Sequence, residues 1–82
     1  MIHELKIMPD YFEAVVIGAK TFELINDDRG FQIRDILILK EWDPDAEEFT
    51  GREVVRRICY VLKRVPGLTS GYAILGIEEG SE

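Results

Sequence analysis

The segment DILILKEW, residues 35–42, sets four apolar residues, Ile36 to Leu39, side by side, and no other stretch restricts the fold as strongly. In an extended chain, successive side chains point to opposite faces, so a continuous apolar run needs cover on both. A strand covered on both faces, or a sheet curled into a small barrel, supplies it. With 82 residues there is room for one core, so residues 1–82 are expected to form a single domain.

The rest of the chain divides into short patterned runs between turn signals. IHELKI alternates His3, Leu5 and Ile7 against Ile2, Glu4 and Lys6, which predicts a first strand with one buried face. Pro9 suits a first helical position, Asp10 and Glu13 favour a helix start, and Tyr11, Phe12, Val15 and Val16 make an apolar stripe. That helix should run from about residue 9 to Gly18, which can take a left-handed terminal conformation. A second strand is expected from Thr21 to Ile25, with Thr21, Glu23 and Ile25 on one face and Phe22 and Leu24 pointing to the core. NDDRG then turns the chain.

After the central strand, DPDAEEFTG reads as a turn or hairpin, REVVRRICYVL as a long strand, KRVPGLTSG as a loop and YAILGIE as a last strand. Strands joined by short turns pair antiparallel. The expectation is an α+β domain: a small antiparallel β-barrel of five to six strands with one main helix after the first strand.

Composition narrows the function classes. A net charge of −6 disfavours tight, nonspecific attachment to a polyanion. Charge is segregated, however. Arg52, Arg56, Arg57, Lys63 and Arg64 follow the acidic run Glu41, Asp43, Asp45, Glu47 and Glu48, and are expected to neutralise it in part from an adjacent strand or connecting loop. Cys59 has no partner for a disulfide or a cysteine-rich metal site and reads as a small buried hydrophobe. Neither a metal site, a phosphate loop nor any cofactor is expected. The charged start and the lack of a long apolar run predict a cytoplasmic protein with no membrane partner.

Gly18, Lys20 and Glu23 resemble the signature of the ASCH superfamily, whose PUA-like barrels carry Gly-x-Lys-x-x-Glu-x-Arg between the first helix and the next strand. The arginine position is Ile25 here. HELK, KTFE, DDRGF and EWDP extend the resemblance over most of the chain, to a small bacterial and phage-type branch known mainly as a domain of unknown function. The resemblance implies a module that binds RNA or a nucleotide-like small molecule in a cleft between barrel and helix. Lys20 would supply a positive charge with three donors, and Glu23 an acceptor for the amine or ring N–H of a base. Arg29 would reach a phosphate, or else pair with Asp27 or Asp28; His3 and Lys6 are weaker candidates, His3 being equally suited to a structural hydrogen bond. Trp42 and Tyr60 could stack on bases, although a chain this small is expected to use them in its core.

One branch of the superfamily hydrolyses the amide of acylated cytidine, which makes a small amidohydrolase with Lys20 as nucleophile or base the alternative. In that branch a threonine stands at the position of Glu23. A carboxylate three residues away favours the ammonium form, so Lys20 reads as an anchor. A protein-interaction accessory domain is the third reading.

Overall fold

A computed structural model describes residues 1–80. Its elements follow the expected order: β1 (Ile2–Ile7), α1 (Pro9–Val16), β2 (Phe22–Asn26), β3 (Ile36–Asp43), β4 (Glu48–Lys63) and β5 (Tyr72–Glu79). The five strands form one sheet in the order β1-β3-β4-β5-β2, curled into a half-barrel. Leu37 and Leu39 of β3, Ile58 of β4 and Ala73, Leu75 and Ile77 of β5 line its concave side. Phe12 and Val15 of α1 and Phe31 of the β2–β3 connection pack onto them.

Three of the four strand pairings are antiparallel, whereas β1 runs parallel to β3, with Leu5 opposite Leu39. Parallel neighbours need a long crossover. Here it is the whole of residues 8–35, carrying α1, β2 at the far edge of the sheet, and the connection back.

Strand β2 is turned over relative to the expectation. Phe22 and Leu24 are 47% and 56% exposed, while Ile25 packs against the core and Glu23 is half-buried. The pairing with β5 decides this, because Glu23 lies opposite Leu75 and Ile25 opposite Ala73, both fully buried. Residues directly opposite one another share a face, so an apolar side chain cannot choose the inside when its partner strand's register places it outside.

Strand β4 starts earlier than expected, since Glu48 and Phe49 continue the ladder opposite Asp43 and Trp42. The Asp43 carboxylate accepts the N–H groups of Asp45 and Ala46 at 2.9 and 3.3 Å and confines the turn to a few residues. Farther along, the register slips between Ile58 and Tyr60, a β-bulge that leaves both Cys59 and Tyr60 exposed. Cys59 is therefore not the buried hydrophobe its surroundings suggested, and Tyr60 is not a core residue. Trp42 is half-buried, edge-on to Phe49 at 5.0 Å between centroids.

Replacing Ile25 by Ala should lower unfolding free energy in urea by about 2 kcal/mol, whereas Leu24→Ala should change it by less than about 0.5 kcal/mol. The opposite ranking would mean that β2 pairs with β5 in another register.

Candidate functional site

Where α1 ends, Gly18 takes a left-handed conformation, φ 83°, and the Ala14 carbonyl accepts the N–H groups of both Ala19 and Lys20 at 2.9 Å. This closing turn folds the chain back beneath the helix and aims Lys20 along β2. Its ammonium donates to the Phe22 carbonyl at 2.7 Å and to Glu23 Oε2 at 2.5 Å. The rings of Phe22 and Tyr11 flank it at 4.9 and 5.6 Å. Both side chains are mostly covered, 16% exposed for Lys20 and 12% for Glu23, so this is not a loose surface pair.

Lys20 borders a cleft of about 310 Å³ between the helix end and the sheet. Thr21, Arg56 and the stretch Ile77 to Glu79 complete its wall. Arg56 is the residue that sequence reasoning missed. It stands on the same face of β4 as Val54 and Ile58, and its guanidinium donates to the Val15 carbonyl at 3.1 Å and to the Val55 carbonyl at 2.9 Å. It thereby adds a second donor to a helix-end carbonyl that also accepts the Gly18 N–H at 3.0 Å. The period-2 pattern of VVRRI contained this placement, but the basic run read as a counter-charge to the acidic run before it. Lys20 and Arg56 bring two cations to one cleft, whose wall also includes Glu78, paired with Arg57, and Glu79.

The other candidates lie elsewhere. Arg29, on the β2–β3 connection, pairs with Asp28 at 3.5 Å and reaches the Glu4 carbonyl at 3.4 Å. Lys6 points outward from β1, its ammonium 4.2 Å from the Trp42 ring centroid. His3 is buried, stacks on Phe31 at 4.5 Å between centroids and places Nε2 2.8 Å from Asp35 Oδ2. The structure thus joins Lys20 to Glu23 and leaves His3, Lys6 and Arg29 outside the cleft wall.

The basic run is spread among several partners. Arg52 meets Glu13 at 2.9 Å and the buried Glu41 at 3.8 Å, Arg57 meets Glu78 at 2.7 Å, and Lys63 meets Asp27 at 3.0 Å. Its hydrogen bond from Lys63, with that from the Phe31 N–H, holds the Asp27 carboxyl below its usual value. Among the described residues, no group of three His, Cys, Asp or Glu side chains could hold a metal ion, and no helix is long and apolar enough to cross a membrane.

Asp35 is the most heavily engaged carboxylate. Burial alone would raise its pKa, but hydrogen bonds from His3, the Gln32 N–H and the N-terminal ammonium outweigh it and hold the group below the usual 3.8. A carboxyl depressed in this way adds stability above pH 3.8 that disappears as pH falls through its lower folded-state value. Asp35→Ala should therefore cost about 1–3 kcal/mol at neutral pH by leaving the buried His3 ring unpaired. In urea titrations at decreasing pH, the gap to wild type should close once the pH drops below that folded-state value.

Residues 2–77 match the family described as a domain of unknown function, DUF3850. A 60-residue stretch is 44% identical to an uncharacterized 12.9 kDa protein in the GpA 3′ region of Escherichia phage P2, covering 73% of this chain and 53% of that protein. The chain thus spans about half the length of this phage relative. A match that takes in the helix, the first four strands and β5 as far as Ile77 places the protein in a known group: it belongs to the DUF3850 family.

Proposed function

We propose that this domain is a binding module for RNA or a nucleotide-like ligand, held in the cleft between the end of α1 and the curled sheet. The observation that carries this reading is the convergence of Lys20 and Arg56 on one cleft, reached from α1–β2 on one side and from β4 on the other. Two cations on separate elements suit a phosphate, and the Glu79 carboxylate offers an acceptor to the amine of a base. The resemblance of Gly18, Lys20 and Glu23 to the ASCH signature supports the same cleft, which lies between the helix end and a curled half-barrel. Arg56 also offers the cation that Ile25 does not, since Ile25 packs into the core.

The geometry favours binding over amide hydrolysis. The Lys20 nitrogen is turned to two acceptors of its own chain, the Phe22 carbonyl and the Glu23 carboxylate, which suits an anchor better than an attacking nucleophile.

Fluorescence anisotropy with a labelled ten-nucleotide RNA, and calorimetry with cytidine 5′-monophosphate, test the reading. Lys20→Ala and Arg56→Ala should each weaken binding about ten-fold or more, the scale of one lost charge-assisted hydrogen bond. Incubation with N4-acetylcytidine should release no cytidine; release that vanishes in Lys20→Ala would put the hydrolase first.

A further inference from the structure

The convex face of the sheet, away from the helix-end cleft, carries its own set of exposed groups. Strand register aligns Tyr60 of β4, Gly76 of β5 and Phe22 of β2 in one row across that face. Both aromatic residues are open to solvent, Tyr60 at 60% and Phe22 at 47%. Gly76 leaves bare backbone between them. A Cβ there would lie 3.2 Å from the Tyr60 Cβ, because the bulge crowds this position, so the gap is built into the strand pairing. Two strand spacings separate the backbones of Phe22 and Tyr60 by about 10 Å. A planar ring in contact with an aromatic ring on either side needs about 7 Å, two carbon contacts of roughly 3.5 Å each.

Beside this row lies a hollow of about 580 Å³ whose wall includes Arg34, Arg57, Cys59 and Glu78. Cys59 joins the two, its Sγ 3.5 Å from the position a Gly76 Cβ would take. Arg57 is held by Glu78 at 2.7 Å, whereas the Arg34 side chain has no ion-pair partner among the described residues. Arg34 is also left-handed, φ 83°, a costly conformation for a non-glycine residue, and is locked by its N–H bond to the Ile58 carbonyl at 2.8 Å.

We infer that this outer face is a second binding site, in which a nucleobase stacks between Phe22 and Tyr60 over Gly76 and its phosphate meets Arg34 and Arg57. Aromatic faces accept any base, and guanidinium groups match phosphate geometry. The adjoining cations select an anionic aromatic partner over an apolar peptide or a second copy of this chain. The outer site shares one group with the cleft, since the Phe22 ring lies 4.9 Å from the Lys20 ammonium, and otherwise stands on Tyr60, Arg34 and Arg57. Single-stranded RNA and a free nucleotide share the recognised chemistry.

The probe is a fluorescein-labelled decauridylate, with uridine 5′-monophosphate as competitor. Tyr60→Ala should weaken decauridylate binding about ten-fold and Tyr60→Phe should restore it, with the urea midpoint unchanged in both because the side chain is exposed. Arg34→Ala should weaken binding and reduce the slope of log affinity against log salt by about 0.7, the value for one phosphate contact on a single strand. Competition by the mononucleotide identifies a free nucleotide as sufficient; its failure identifies the strand. Loss in Tyr60→Ala with retention in Lys20→Ala supports the outer site alone, and loss in both supports a strand that spans the two. Retention in Tyr60→Ala overturns the inference, whether Lys20→Ala then abolishes binding, as the cleft reading requires, or Tyr60→Ala changes only self-association. Absence of decauridylate binding by the wild-type chain overturns it as well.

Discussion

The Asp35 carboxylate is the fastening on which the half-barrel depends. It accepts from the His3 ring and the N-terminal ammonium, which belong to the β1 end of the chain, and from the Gln32 N–H of the β2–β3 connection. Its own carbonyl accepts the Ile58 N–H, and the neighbouring Ile36 N–H reaches the Met1 carbonyl. One residue therefore ties β1, the connection and β4 to the start of β3. The buried His3 ring would be left unsatisfied without it, which costs more than a hydrogen bond gains. The tie also seats Phe31 on the concave side, against the ring of His3.

With β1 pinned beside β3, the curl of the sheet sorts side chains into two populations. Leucine, isoleucine and valine fill the concave side, together with the few charged groups whose partners are near: Glu23 with Lys20, Glu41 with Thr50, and Arg56 with the helix carbonyl. Among the described residues, no buried side-chain nitrogen or oxygen lacks a partner. The convex side keeps what the core cannot take, including Phe22, Leu24 and Tyr60, so the aromatic residues that look like core in the sequence become surface. Both candidate sites follow from this sorting. The cleft uses a cation turned inward, and the outer row uses rings turned outward.

Much of this was legible in the residues themselves. The alternation in IHELKI gives the buried face of β1 correctly, Pro9 and Gly18 bracket α1 to within two residues, and the apolar run at 36–39 marks the strand at the heart of the sheet. The proximity of Lys20 and Glu23 was legible too, because a spacing of three residues after a helix end leaves them little room to separate. The faces of β2 were not, because FELI offers apolar residues at both phases of its alternation and local pattern cannot rank them. The exposure of Cys59 and Tyr60 was equally hidden, since a bulge inserts one residue into a strand whose letters still alternate.

By itself, the sequence determined the identity and order of the elements and the approximate extent of the helix, because these depend on periodicity and on backbone preferences that act within a few residues. Only the tertiary structure decided that β1 runs parallel to β3, that β2 closes the far edge against β5, and that Arg56 reaches the end of α1. Those outcomes depend on which strand lies opposite which, and a single-residue shift in that pairing exchanges every inward side chain for an outward one. Register is a property of two strands together, settled by the burial of Ala73 and Leu75 and by the hydrogen bonds around Asp35, and no single stretch of the chain contains it.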